Sequence, residues 1–350
     1  MAKTNGNFRD LAADPGPDVP EDARSKVNGI QARSSSVLSG LSRARRGVGL
    51  GGRSVPSARP SRRLPSRSIT LALLVIPSVV LVAVIYGYPA IYAAFQSLHN
   101  GNLVDAGQYV GLQNFQADLH NPAFWQAVQF TIIFCVVGVF GSWIVGLALA
   151  LLLRQKMHAP GFFKTLLLLP WIVPVVVTAT AWRWLVATPT SLVPHIAQDL
   201  GLGQLLFLDS PGLAKIIVCV YKVWLSFPFM MLMASAALAG VDESLYEAAR
   251  VDGASSWQQF RLITMPMIAR STYISWVLMF IFCIGDFQSI YLLTGGGPVQ
   301  STNTFVVLAY ETVFSNFQTG PGIAIGFLMM LVSVLVAVIL YGRIRKVAIS

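Results

Sequence analysis

At 350 residues, 55% hydrophobic and 11% charged, with mean hydropathy +0.63, the chain is excluded from the ordinary soluble folds, in which charged residues make up about a quarter of the sequence. The formal net charge of +10 leaves nucleic acid and an anionic membrane surface as partners, and the placement of the cations decides between them. The apolar residues fall in long blocks that water-soluble cores do not need, so the expected fold class is all-α, a polytopic membrane protein.

Residues 1–68 precede the first block and hold 13 of the 25 Lys and Arg. Their one aromatic is Phe8, and Ser, Gly, Pro and Arg dominate, so too little surface can be buried to offset ordering entropy. A disordered basic cytoplasmic tail is expected. Its acids stop at Asp22, and nine arginines follow from Arg33 to Arg67. A tail resting on anionic lipid fits this better than nucleic-acid binding. The first apolar run also starts too deep in the chain for a cleavable signal peptide.

Charge-free stretches of about 20 residues, the length that crosses a hydrocarbon core of about 30 Å, predict six transmembrane helices between 69 and 346. They are Ile69–Phe95, Ala127–Leu153, Thr165–Ala187, Leu213–Ala239, Ser271–Leu293 and Pro321–Tyr341. The tail, the loops 154–164 and 240–270 and the C-terminal end carry 22 Lys and Arg, whereas the loops 96–126, 188–212 and 294–320 carry none. The positive-inside rule therefore puts both termini and the two basic loops in the cytoplasm.

The third block contains Pro170 and Pro174, a hint of a broken helix, and ends on Arg183 between Trp182 and Trp184, which reads as an interfacial belt with a snorkelling cation. Lys222 in the fourth block and Asp286 in the fifth are lone charges in apolar spans. Counting ~1.5 Å per residue from the outer ends puts them at ~13 Å and ~10 Å depth. Matching depths predict that they face the bundle interior and either pair or line a polar route. Cys135, Cys219 and Cys283 sit within blocks and read as small buried hydrophobes.

Between the fourth and fifth blocks, 240–270 reads as two short helices around a glycine turn. Ser244-Leu-Tyr-Glu247 and Ser255-Ser-Trp-Gln258 have the capping-box pattern, Asp252-Gly253 has turn chemistry, and Pro266 is the expected end of the second helix. Trp257, Phe260 and Ile263 or Thr264 recur at helical spacing and predict an apolar face turned to the cytoplasm. On the fifth block, Asp286 and Ser289 share a face, as do Gln288 and Tyr291, with Phe282 a turn below Asp286. Aromatic faces with a few fixed polar groups suit a neutral sugar, so Lys222, Asp286, Gln288, Ser289 and Tyr291 form the candidate substrate pathway. Gln288, Ser289, Tyr291 and Phe282 read equally simply as packing or interhelical hydrogen bonding.

The sequence has no Gly-x-x-x-x-Gly-Lys-Ser/Thr loop: Gly47-Val-Gly-Leu-Gly-Gly-Arg-Ser lacks the lysine. His-Glu-x-x-His is absent, and His99, His120, His158 and His195 are scattered. This chain is expected to be neither an enzyme nor an ATPase, with no metal or other cofactor of its own.

Glu247-Ala248-Ala249, then Asp252-Gly253-Ala254, Phe260, Ile263 and Pro266, resemble the EAA loop of the permease subunits of bacterial ATP-binding-cassette importers. Tyr88-Pro89, Gly111-Leu-Gln-Asn-Phe115, Trp224 with Phe227-Pro228-Phe229, and Leu293-Thr-Gly-Gly-Gly-Pro298 resemble the carbohydrate branch, of maltose and glycerol-phosphate type. Together they cover about Ile69 to Lys346. The chain departs from that pattern in its Arg-rich tail, in lacking a large early external domain, and in Ala269-Arg270 where relatives often have another proline.

The resemblance implies one half of a translocation pathway in the bacterial inner membrane. The partners implied are a second permease, as a heterodimer, two ATPase subunits that bind ATP and magnesium, and an extracytoplasmic sugar-binding protein or lipoprotein that delivers a carbohydrate. It also implies that Glu247, Ala248, Ala249, Asp252, Gly253, Ala254 and Phe260 meet the ATPase. The rival readings are an ion-coupled secondary transporter, which needs repeated halves, and a membrane scaffold without transport.

Overall fold

A computed structural model describes residues 67–155 and 159–347. The tail 1–66, for which disorder is expected, lies outside the described residues, as do Lys156 and His158. The chain divides into units 1–72 and 73–350, and the following concerns the second.

Among the described residues the regular structure is helical, with a single isolated bridge between His99 and Tyr109. Five helices are long and apolar enough to cross a bilayer: α1 (Leu74–Ser97), α3 (Pro122–Arg154), α7 (Pro211–Ala239), α9 (Ser256–Ile284) and the apolar part, Thr319–Ile339, of α12 (Thr319–Val347). A sixth crossing is broken. Its halves, α4 (Pro160–Ile172) and α5 (Val175–Val186), meet at 90°. The shorter helices are α2 (Gln113–His120), α6 (Leu192–Asp199), α8 (Glu243–Val251), α10 (Gln288–Thr294) and α11 (Phe305–Ser315).

The six predicted blocks are all present, and three features differ from expectation. The third block is bent, because Pro170 and Pro174 each withhold the N–H that a continuous helix needs. The fifth crossing is displaced: α9 ends at Ile284, Gly285 to Phe287 leave the helix, and α10 restarts at Gln288. Pro266 ends nothing. A π-helical turn at Phe260–Thr264, closed by Met265 N–H donating to the Phe260 carbonyl, absorbs the register change before it, as such turns do within α-helices.

The core forms where α3, α5, α7, α9, α10 and α11 converge, around Phe130, Phe134, Tyr221, Met230, Met279, Ile290 and Leu293. The second half of α3, residues 137–154, packs along α7. Gly146 makes that approach possible: a Cβ there would stand 2.6 Å from the Met231 backbone nitrogen, well inside van der Waals contact. A second cluster of Leu147, Ala150, Met231, Ala234, Leu238 and Ile268 continues toward the α7–α9 connection. Cys135, Cys219 and Cys283 are free and buried. α1 differs from the others, being apolar on all sides and exposing its large side chains from Leu74 to Phe95, a pattern that suits lipid-facing surface.

At the end of α1, Asn114 on α2 donates through Nδ2 to the carbonyls of Ser97 (2.7 Å) and His99 (2.9 Å). The Gly111–Phe115 motif thus serves as a brace for the first crossing. Trp182 turns inward, packing on Tyr221 and Trp224 with both ring centroids at 5.5 Å, while Trp184 remains exposed. The expected belt around Arg183 is therefore half a belt, since tertiary packing claims one of its two tryptophans.

Candidate functional site

Two constellations carry chemistry. The first lies where α9 stops. Asp286 accepts the Ser289 N–H through Oδ1 at 3.0 Å, capping α10 as a short acidic side chain does at a helix start. Its other oxygen, Oδ2, accepts from Lys222 Nζ of α7 at 2.7 Å, with side-chain exposures of 10% and 5%. The Lys222 ammonium also lies 5.7 Å from the Phe134 ring centroid, which adds cation–π attraction. Of the two arrangements that depth left open, the residues adopt pairing. The pair needs each member, because an isolated charge in that setting costs several kcal/mol.

The break changes the faces predicted on the fifth block. Phe282 belongs to α9 and Ser289 and Tyr291 to α10, so a single helical periodicity no longer relates them. Ser289 is buried with its Oγ unpartnered, Gln288 is exposed, and Tyr291 joins Phe287 and Tyr310 in an aromatic cluster with centroids 4.7–5.1 Å apart. Lys222 and Asp286 come together; Gln288 and Tyr291 stand apart from that pair. The break of the third crossing lies alongside: α5 packs against α10, and the Tyr221 hydroxyl bonds Thr178 Oγ1 at 2.8 Å in the first turn of α5.

Three aromatic side chains at these interruptions escaped the sequence reading as a group. Trp171 stacks on Phe229 at 5.4 Å and lies 6.1 Å from Phe282, and Phe229 and Phe282 meet edge-on at 5.6 Å. The signal that could have found them is the proline next to two of them, at 170 and 228.

The second constellation is the α8–α9 turn. Asp242, and not Ser244, caps α8, accepting the Ser244 N–H at 3.0 Å. Those hydrogen bonds hold its carboxyl below the usual carboxylate range. α8 ends in a Schellman motif: Gly253 N–H donates to the Arg250 carbonyl (3.1 Å) and Ala254 N–H to the Ala249 carbonyl (2.9 Å). Gly253 has φ +79°, a region that β-carbon residues disfavour. The Ser255–Gln258 capping box is complete, with both reciprocal bonds present.

Glu247, Ala248, Asp252 and Gly253 are exposed, while Ala249 and Ala254 are half-buried. Trp257 is 66% exposed and stacks on Phe260 at 5.4 Å. Phe260 and Ile263 pack inward against the second core cluster, so the exposed apolar face is narrower than expected. α8 is fastened from both sides. The Arg154 guanidinium lies 4.7 Å over the Tyr246 ring and 3.3 Å from Glu243, and the Tyr246 hydroxyl meets Thr264 Oγ1 at 3.0 Å.

Residues 144–347 match the family model described as binding-protein-dependent transport system inner membrane component. The chain is 30% identical over 276 residues, 78% of its length and 94% of the relative's, to the trehalose/maltose transport system permease protein MalF of Thermococcus litoralis. It is 31% identical over 279 residues, 78% and 87% of the two chains, to the trehalose transport system permease protein SugA of Mycobacterium tuberculosis (strain H37Rv). A similar fold occurs in the solved structure of a bacterial ABC transporter involved in the import of the acidic polysaccharide alginate. That likeness has a TM-score of 0.67 at 19% identity and covers 80% of this chain and 96% of the other.

Proposed function

Because the chain belongs to the family of binding-protein-dependent transport system inner membrane components, we propose that it is a transmembrane subunit of an ATP-driven sugar importer. It forms half of the translocation pathway together with a second permease, and it takes sugar from an extracytoplasmic binding protein. The likeness to permeases named for trehalose and maltose, over 78% of this chain, supports the sugar class.

ATP and magnesium belong to two separate ATPase subunits, and this chain holds no cofactor and binds no nucleic acid. The exposed α8–Gly253–α9 turn is the ATPase-docking element, with Glu247, Ala248, Ala249, Asp252, Gly253, Ala254 and Phe260 forming or shaping it. One observation carries this reading: the turn is capped on both sides of Gly253 and tied to α3 and to the π-turn of α9. It is thereby stiff enough to pass a displacement into the crossings. Cation asymmetry supports cytoplasmic termini and a docking turn on the same side of the inner membrane. Residues 1–68 are its basic tail and 69–346 the permease domain. Lys222 and Asp286 hold the pathway's broken segment in place, with Gln288, Ser289 and Tyr291 in the adjoining helix.

The test is ATP hydrolysis by the purified complex with its binding protein, across trehalose, maltose and diacetylchitobiose. Stimulation by at least one supports the reading. Purification without an ATPase, combined with ion-gradient-driven sugar uptake by this chain alone, overturns it.

A further inference from the structure

Three crossings have their ends around one hollow. α3 stops at Arg154, α7 stops at Ala239 and α4 starts at Pro160, and beside these ends lies a cavity of about 380 Å³ whose lining includes Arg154 and Lys164. α3 has 33 residues, about 50 Å at ~1.5 Å per residue, against a hydrocarbon core of about 30 Å. Its last residues therefore stand at headgroup level. They do so at the end of the bundle that carries the α8 turn, since Arg154 reaches Glu243 of α8.

The lining has two chemistries. Ala150, Leu153 and Leu238 supply apolar surface, whereas Arg154, Lys164 and Ser235 supply two cations and a hydroxyl. Gly161, which also lines the hollow, opens the first turn of α4. That 13-residue helix has no side-chain cap, and a Cβ at Gly161 would meet nothing within 4 Å. Uncapped N–H groups at a helix start favour an anion, and the missing side chain leaves the approach to them open.

Charge narrows the occupant. Lys164 makes no ion pair among the described residues, and Arg154 has one acidic partner, Glu243 Oε2 at 3.3 Å. The Glu243 side chain is 70% exposed, so water screens that pair. Two cations against one carboxylate leave one net positive charge, which a phosphodiester neutralises. A free phosphate ion would meet the cations but leave the apolar wall against water. A phospholipid meets both, laying its glycerol and first acyl carbons on that wall. The adjoining surface of α4 suits lipid too, because Phe162 and Leu166, one helical turn apart, are 66% and 49% exposed.

We propose that the hollow at the ends of α3, α4 and α7 binds the phosphate of an anionic phospholipid, held by Lys164 and Arg154 with Ser235 and the first N–H groups of α4. The site is separate from the Lys222–Asp286 pair, and it stands whichever solute crosses. Because the Arg154 guanidinium also lies over Tyr246, a headgroup here joins the start of the broken crossing to the α8 turn.

The test places the complete complex in phosphatidylcholine nanodiscs containing a minor fraction of phosphatidylglycerol with a photoreactive group beside its phosphate. The control is the same photoreactive group on phosphatidylcholine. Mass spectrometry of the cross-linked peptides then reads residues 150–164 and 235–239 separately from the basic residues 1–68. The anionic probe should label the first two segments more than the zwitterionic one does. Lys164→Gln should cut that labelling about fivefold, the effect of one basic side chain at an anionic surface, with labelling of residues 1–68 unchanged and Lys164→Arg retaining the wild-type level. Ser235→Leu, which fills the hollow from α7 without altering a charge, should lower it as well. Both variants are compared with wild type for melting temperature in phosphatidylcholine alone, which separates loss of the site from loss of the fold. Equal labelling by the two probes, or labelling that survives both Lys164→Gln and Ser235→Leu, overturns the inference. Displacement of the probe from these segments by excess inorganic phosphate assigns the hollow to a soluble anion and overturns the lipid as its occupant.

Discussion

Lys222 and Asp286 are 64 residues apart in sequence and 2.7 Å apart in the fold, and through this contact α7 fixes the point at which the fifth crossing stops being helical. Removing either partner leaves the other charge buried and alone. Lys222→Met and Asp286→Asn should each destabilise the assembled protein by about 3–5 kcal/mol, and the double variant should recover most of that loss. Thermal unfolding of the detergent-purified complex measures it. A double variant no more stable than the worse single one would contradict the pairing.

Glu247 is exposed on α8 and makes no side-chain bond among the described residues that α8 needs for its own cap, which Asp242 supplies. Glu247→Lys should leave folding and membrane insertion intact while reducing ATP-driven uptake by an order of magnitude or so, about 1.4 kcal/mol of lost coupling. Normal uptake in proteoliposomes would remove Glu247 from the docking surface.

Gly253 closes the Schellman motif at φ +79°. Gly253→Val forces a β-branched side chain into that region at a cost of about 1–2 kcal/mol, although nothing crowds the site within 4 Å. The damage is therefore directional: α8 leaves the turn at a different angle. Coupled transport should fall further than thermal stability, and comparing uptake with melting temperature checks this.

Tyr246 ties α8 to two crossings at once, through Arg154 and Thr264. Tyr246→Phe keeps the ring under the guanidinium and loses only the hydroxyl bond, whereas Arg154→Ala loses the stacked cation and its contact with Glu243. Since exposed ion pairs contribute little on their own, either variant should melt within a few degrees of wild type. Both should raise ATP hydrolysis relative to sugar moved, as a loosened link between docking turn and crossings would.

Asp118 on α2 is buried with Oδ2 unpartnered, and burial pushes its carboxyl up to about 7. A carboxyl raised in the folded state stabilises most when protonated, so its contribution is complete below about pH 4 and is lost as pH rises through 7. Wild-type melting temperature should drop by a few degrees between pH 5 and pH 8, and Asp118→Asn should flatten that slope. An equal slope in both would move the effect to another group.

The sequence made the crossings legible because hydrocarbon thickness imposes one length on every span, and the depths of Lys222 and Asp286 followed from that length. The Ser255–Gln258 cap was legible because its bonds are local. The 90° bend was not: Pro170 and Pro174 announce missing hydrogen bonds, but the bend direction depends on how α5 packs against α7 and α10. Asp286 read as a helical residue because periodicity cannot register a side chain that captures the next helix's N–H. Trp182 likewise carried no sign of facing Tyr221 instead of the interface.

α9 runs unbroken from Ser256 beside Gly253 to Ile284 beside Asp286, about 43 Å at ~1.5 Å per residue. A rod of that length has two joints and nothing soft between them except the π-turn at Phe260–Thr264. Under the proposed docking role, a push at Trp257 along the rod would meet no break before the ion pair, and a sideways push would be turned first at the π-turn. In that role Phe260 to Thr264 would set the direction of travel, and Asp286 and, through its ammonium, Lys222 would receive it.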